Sequence, residues 1–487
     1  MHRSHLMRTA ALAAAGALGV AGCNQATSVQ DLNNVPSTVL NGGLTATTLQ
    51  LLVTGVLGQD RANQGFATTI YAETLARDVY NIDPSESRYI TELLGAPIDP
   101  SAFTGGGAYT GNFVTVRTAN TVLNNLSSVS NVYSAGQLAA VRGLLRTLKA
   151  QSFYRVLELR GTNGTPIATD QDITATPAPI LCEQSALAAV SALLDTAETD
   201  LAEANAAGVT AFPVAIPAGF NQNGNFSTVQ GFRAFARAFQ GKVEVYRGIK
   251  AGAAGTANFT KALADFAGAN ALVPTYANAT SDLTVGPYYV YGTQAGDLTN
   301  PLAAGTIYLN PTVRVNTLNN GKAGFDTLQT GDARGAKIAT LTTARTRSGT
   351  STLYGQTVYT TANQSTPTPI LRNDEVVLLR AQANIGLGNF AAAAADINAV
   401  RTVEGGLPAI ATPATADEAI SAVLYEKRFS LLLLSTTRLQ DLRSYGRLNS
   451  TYYPAARTGD TFQTQLPIPA GEANARAKSG GVACTGT

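Results

Sequence analysis

The spacing of apolar residues along the chain predicts helices separated by long Asn-, Gly- and Thr-rich connections. Two helices are expected near 44–58 and 65–80, and 81–112 reads as a loop because of Asp83-Pro84, Asp99-Pro100 and Gly105-Gly106-Gly107. From Gln137 to Arg160, Leu138, Val141, Leu145, Leu148 and Leu157 fall on one helical face with Phe153 beside it, and Gly161 ends the run. Glu183 to Ala207 repeats the pattern through Val190, Leu194, Ala197 and Leu201, with Gly208 at the stop. Ser227 is placed to cap a third helix reaching about Ile249, striped by Phe232, Phe235, Phe239 and Val243. A shorter helix covers 258–269, which makes two helix pairs.

Helical periodicity disappears over 274–370, where only Thr306–Leu309 and Ser351–Tyr359 read as strand pieces. It returns at Asn373–Leu387 and Ala391–Val400 around a Leu387-Gly388-Asn389-Phe390 turn of the tetratricopeptide kind. Thr415-Ala416-Asp417-Glu418 is a capping-box pattern opening a helix from about 417 to 445, and Leu466-Pro467-Ile468-Pro469 is an extended tail. No composition break divides 44–487, so these residues read as one large α-rich domain.

Composition narrows the chemistry. Of 487 residues 45% are hydrophobic, enough for a sizeable core, and only 14% are charged. The net charge of +2 carries no basic bias, so nothing points to nucleic acid. Both histidines are His2 and His5, both methionines are Met1 and Met7, and tryptophan is absent. With the first 22 residues removed, the chain has no histidine. That excludes a Ser-His-Asp triad, a Cys-His pair and histidine metal ligands. Three cysteines are too few for a Cys-only zinc site. Carboxylate chemistry, or none, is left.

Removal is expected because Arg3 and Arg8 precede an apolar stretch from Thr9 to Gly22, too short to span a membrane. It ends in Val20-Ala21-Gly22-Cys23, which resembles the lipobox of bacterial lipoproteins. That resemblance implies a signal peptide over 1–22 and an acylated Cys23, and Pro36 and Asn41-Gly42-Gly43 make 23–43 read as an extended, flexible lipidated tether. The competing reading is an ordinary cleaved signal with an incidental cysteine. An oxidising compartment would permit a bond between Cys182 and Cys484, but the sequence does not show whether they meet.

Several ordered motifs resemble one family. Arg372-Asn373-Asp374-Glu375-Val376-Val377-Leu378-Leu379-Arg380-Ala381-Gln382-Ala383 is similar to the R-x-x-E-v-x-L-x-x-A-E-A helix of SusD/RagB proteins. Gly388 to Arg401, with Ile397-Asn398-Ala399-Val400-Arg401, resembles that family's following G-x-x-x-A-x-x-x-I-N-x-V-R. Glu426-Lys427-Arg428, Asp441-Leu442-Arg443 and Leu466-Pro467-Ile468-Pro469 with Glu472 resemble its closing motifs, and Val141 to Gly161 its first repeat helix. Ser430 and Leu434 fall where the family usually carries glutamates, the mark of a divergent branch.

The resemblance implies a mainly α fold: tetratricopeptide-like helix pairs in a right-handed superhelical scaffold, with a long loop-rich insertion and a few short strands. It implies an outer-membrane, lipid-anchored nutrient-binding protein. Such proteins capture oligosaccharides or peptides and deliver them to a SusC-type TonB-dependent transporter. It implies no enzyme activity and no cofactor. Two alternatives stay open: a scaffolding lipoprotein using its repeats for protein contacts, and a glycoside hydrolase using paired carboxylates.

A glycan binder needs flat aromatic rings beside polar groups. Without tryptophan, tyrosine must serve. The densest cluster is Tyr288, Tyr289 and Tyr291, with Tyr109 and Asn112 as secondary candidates and Tyr80 and Tyr89 nearby in sequence. The competing reading is a short strand whose tyrosines pack on the helices. Arg372, Glu375, Arg401, Asp441 and Arg443 read as buried ion pairs between helices. Asp326, Asp332 and Arg334, in Gly-rich loops, could hold calcium or form ordinary Asx turns.

Overall fold

The computed structural model describes residues 43–95, 97–101, 103, 106–171, 175–315, 327–477 and 481–486. The expected signal peptide, Cys23, nearly all of the expected tether and Asp326 lie outside the described residues. Helix α1 (Ala46–Asn63) passes through a π-helical turn at Gln64–Thr68 into α2 (Thr69–Leu75). There the hydroxyls of Thr68 and Thr69 donate to the carbonyls of Asn63 and Gln64, five residues back. The expected second helix therefore stops short of 80. Its end is marked by Arg77 at φ 67°, and Val79–Asn81 is a strand, β1.

The loop expected over 81–112 holds a short helix, α3 (Arg88–Thr91), and its end is already helical. Helix α4 spans Gly107–Asn125 despite the preceding glycines. Burial of Tyr109, Asn112, Val116, Ala119 and Val122 along one face overrides the weak local propensity.

Three long helices follow the periodicity. Helix α5 (Ala135–Arg160) starts two residues before Gln137, because Ser134 and Gln137 cap one another at 3.2 and 2.9 Å. Helix α6 is Glu183–Ala206 and α7 is Val229–Ala251. The cap of α7 is Thr228, whose Oγ1 accepts from Gly231 N at 3.1 Å, and not Ser227, whose amide is used by Asn221. Helix α8 (Thr256–Leu272) lies close on α7: a Cβ at Gly241 or Gly248 would press into the rings of Phe266 or Phe259. Consecutive helices α5 to α8 pack each on the next, as stacked helix pairs do.

The second helical stretch is α9 (Asn373–Gly386) and α10 (Phe390–Val403), joined at Gly388 with φ 76°, then α11 (Ala416–Ser430). Thr415 caps α11 at Glu418 N, but the Glu418 carboxylate reaches the amide of Ala414 and not that of Thr415. The single helix expected over 417–445 is broken. After Ser430 the chain turns through Leu433 at φ 60° and restarts as α12 (Thr437–Ser444). A continuous helix would turn one of three consecutive leucines toward solvent, whereas here Leu431, Leu432 and Leu433 are all buried. A last helix, α13 (Ala470–Arg476), follows the extended Leu466–Pro469.

The loop-rich segment is ordered around strands. Antiparallel order β1–β5–β7–β6 joins Val79–Asn81, Ile307–Leu309 (β5), Thr350–Gln356 (β7) and Ile338–Arg347 (β6). Two small ladders pair Thr165–Pro166 (β2) with Ile180–Leu181 (β3), and Tyr288–Tyr289 (β4) with Thr368–Pro369 (β8). A buried apolar cluster joins α2, α9, α10, α11 and α12 with β5, through residues such as Ile70, Leu378, Ile397, Leu424, Leu439 and Leu309. Residues 46–487 form one compact unit. Among the described residues no helix is long and apolar enough to cross a membrane.

Asp265 on α8 gives this scaffold a pH dependence. Burial pushes its carboxyl up to about 6, only partly offset by Lys261 Nζ at 3.1 Å and by Arg237. A raised folded-state pKa makes its contribution to stability complete below the unfolded value of 3.8 and lost as pH rises through about 6. We expect the urea midpoint of the native chain, minus that of Asp265→Asn, to fall between those pH values. A flat difference would refute the assignment.

Candidate ligand-binding site

Strand β4 builds one wall of a cleft. Opposite it stand Leu57, Gly58 and Arg61 of α1, and Pro217 and Phe220 close a third side, enclosing about 270 Å³ with a mostly apolar lining. Arg61 is held at the edge by donating to Val290 O at 2.8 Å and Asp297 Oδ1 at 3.0 Å.

The three expected tyrosines differ in what they offer. Tyr288 is half-buried, and its hydroxyl donates to Thr284 O at 2.6 Å. Tyr289 is only 4% exposed. Its hydroxyl donates to Asp60 Oδ2 at 2.5 Å and accepts from Arg155 at 2.5 Å, so it anchors the strand and presents little ring to solvent. Tyr291 is 6% exposed, with the Arg61 guanidinium 5.7 Å from its ring centroid. Tyr289, which pairs with Thr368 in the ladder with β8, and Tyr291, two residues on, are thus both turned inward and are not open platforms.

Tyr109 and Asn112 sit on α4, away from this cleft's lining. Asn112 is 1% exposed and its amide donates back to Ala108 O at 2.6 Å, so it is not free for a ligand. Tyr109 borders a second cleft of about 450 Å³, lined also by Phe113 and Arg117 of α4, by Pro166, Thr169 and Pro177, and by Glu472 and Arg476 of α13. Its ring lies 4.4 Å from that of Phe113 and carries the Arg160 guanidinium at 4.7 Å. Tyr80 is buried and its hydroxyl accepts from Asn310. Tyr89 belongs to an aromatic cluster with Phe66 and Phe103. Arg61, Phe220, Phe113 and Glu472 line the clefts without any sequence signal that singled them out as lining residues.

The patterned charges make ion pairs. Arg372 pairs with Asp374 and, at 3.2 Å, with Glu404. Glu375 meets Lys242 Nζ at 3.1 Å, and Arg401 meets Glu426 at 2.9 Å. Asp441 accepts Lys427 Nζ at 2.7 Å. Arg443 donates to the carbonyls of Glu158 and Thr464, and lies 3.4 Å from Glu183. The Asp332 carboxylate accepts from Arg334 and from the Tyr425 hydroxyl, which uses both its oxygens. Among the described residues no group of three His, Cys, Asp or Glu side chains is placed to hold a metal ion. A buried carboxyl pair, Glu73 and Asp78, lies beside Arg428 and Arg438 on a cavity of only about 10 Å³, too small for a sugar. Cys182 and Cys484 form a disulfide across 302 residues.

No family model matches this chain, and no curated protein matches its sequence. Solved structures do match. A SusD superfamily protein from Bacteroides vulgatus ATCC 8482 superposes with a TM-score of 0.64 at 15% identity, over 89% of this chain and 98% of the other. Surface glycan-binding protein A from Bacteroides uniformis gives 0.61 at 16%, over 89% and 98%. A SusD-like carbohydrate binding protein from Bacteroides fragilis NCTC 9343 gives 0.58 at 13%, over 83% and 91%. The helical scaffold, its order and its stranded insertion together are the fold of the SusD superfamily.

Proposed function

We propose that this protein is a SusD-like surface lipoprotein that captures glycans without altering them and passes them to a TonB-dependent outer-membrane transporter. The observation that carries the reading is a shared fold covering 89% of this chain and 98% of a SusD superfamily protein. Two of the matched proteins are named for carbohydrate or glycan binding. The Val20-Ala21-Gly22-Cys23 sequence supports a lipid anchor at Cys23. A concave apolar cleft with a half-buried tyrosine and a fixed arginine favours binding over the scaffolding alternative, which needs only a smooth repeat face.

The test is calorimetry of residues 24–487 against panels of oligosaccharides and peptides. We expect glycan binding with Kd between about 1 μM and 1 mM and no product release. Tyr288→Ala should weaken it about tenfold, the equivalent of one lost aromatic contact. Binding of peptides alone would replace the ligand class. Slow release of shortened glycans would revive the carboxylate enzyme.

A further inference from the structure

Leu57, Ile216, Pro217, Phe220 and Val290 give the cleft at Tyr288 its apolar lining. Phe220 is itself buried, with its ring centroid 5.9 Å from that of Phe232 and 6.5 Å from that of Phe235, so the core backs this wall. A Cβ at Gly219 would collide with Tyr288 O, so the turn at Ala218–Asn221 lies hard against β4. The walls are therefore set before a ligand arrives. At about 270 Å³ the space lies just under the roughly 300–1,000 Å³ of small-molecule sites, which is room for one substituted unit of a longer ligand.

The hydroxyls and amides of this lining are turned to the protein. Thr54 Oγ1 accepts from Gln50 Nε2 at 2.9 Å, and Ala215 N donates to Gln50 Oε1 at 2.8 Å. The Tyr288 hydroxyl donates to Thr284 O, and the Tyr289 hydroxyl is held by Asp60 and Arg155. A bare sugar hydroxyl pressed against such walls gives up water without gaining a partner, which costs free energy. Arg61 is the exception. Its guanidinium has five N–H donors, more than its bonds to Val290 and Asp297 use, and its side chain is 25% exposed. The cleft thus suits a group that is mostly apolar and carries one acceptor oxygen. An acetyl group has this form, with a methyl for the apolar wall and a carbonyl for the guanidinium.

Gly58 points to the same place. It lies inside α1, where glycine costs helix stability relative to alanine. A Cβ built there meets nothing within 4 Å, so packing within the protein does not call for a glycine. Gly58 is exposed and lines the cleft, so the open space beside it is space for a ligand.

We propose that this cleft selects acetylated sugar units, with the acetyl methyl against Leu57 and Gly58 and its carbonyl on Arg61. The proposal rests on the glycan reading of the same cleft. The test titrates the protein by calorimetry with two matched sets. One is O-acetylated xylo-oligosaccharides before and after alkaline deacetylation; the other is N-acetylglucosamine oligomers against glucose oligomers of equal length. We expect at least one acetylated series to bind about tenfold more tightly than its match, and the set that does so tells esters from amides. The preference should survive about 0.5 M salt, because no ion pair carries it. Gly58→Leu places a side chain in the open space and removes a glycine from the helix. It should abolish the preference while the melting temperature holds or rises.

Equal binding within both sets, or a preference that persists in Gly58→Leu, would overturn the proposal. Unacetylated glycans bound as well as acetylated ones, and weakened by Tyr288→Ala, would sink the acetyl selectivity and leave the capture function standing. No glycan bound at all would sink both.

Discussion

Replacing Asp60 with alanine will cost the folded protein about 3–5 kcal/mol, measured by urea unfolding, because it strands a buried arginine. Asp60 and Arg155 are 1% and 2% exposed and directly paired. Arg155 Nε also donates to Gln64 Oε1 at 2.9 Å, and the Tyr289 hydroxyl bonds both partners. Burial works against the Arg155 charge, yet Asp60 and Tyr289 together hold its pKa above the ordinary value. The pair joins α1, α5 and β4, three segments distant in the chain. Without the carboxylate, the guanidinium stays in a low-dielectric site with only neutral partners. Tyr289→Phe is the control. It removes one hydroxyl and should cost about 1 kcal/mol while the ion pair survives. If Asp60→Ala costs no more than Tyr289→Phe, the buried pair is not what fixes β4 against the helices. The Asp60 variant should also weaken ligand binding in the first cleft, since Tyr289 forms part of its wall.

The same network shows where sequence reasoning reached its limit. The period of 3.6 placed α5 to α8 within a few residues, because each buries a continuous stripe against its neighbour. The Leu387–Phe390 turn was legible for the same reason. Helix α4 was not, since its buried face mixes Tyr109, Asn112, Thr115 and Asn120 with small apolar residues and carries no clean stripe. Strand β6 was invisible because most of its side chains are exposed, so no alternation marks it. Their match to patterned positions of the SusD/RagB motifs suggested that Arg372 and Arg401 pair internally. They did not identify Asp374, Glu404 and Glu426 as partners, which depends on how helices distant in the chain come together. The tyrosine cluster was found, but not its orientation. Pairing of β4 with β8 sets the orientation of Tyr288 and Tyr289, and it joins segments separated in the chain by strands β5, β6 and β7. Neither Arg61 nor Phe113 stood out, because a cleft's lining comes from segments with no shared pattern.

Asp441 is the second place where one side chain should decide stability, and Asp441→Ala should also cost about 3–5 kcal/mol. It is fully buried and lies 2.7 Å from Lys427 Nζ. It accepts from the Tyr246 hydroxyl at 2.8 Å and from Gln382 Nε2 at 3.0 Å. Lys427 donates to the same Tyr246 and to Gln382 Oε1, both at 3.0 Å, so four side chains of α7, α9, α11 and α12 close one polar knot. Burial lowers the Lys427 pKa, and Asp441 opposes that shift. Without Asp441 the lysine loses its counter-charge and its pKa falls further. The variant's deficit should then shrink as pH rises toward the unfolded lysine value of 10.5, where the unfolded chain also sheds the proton. Combining Asp441→Ala with Lys427→Met removes both charges and should recover at least about 2 kcal/mol of the summed single costs. Strictly additive costs, or a single-variant loss under about 1 kcal/mol, would mean that the pair is solvated enough to be replaced by water.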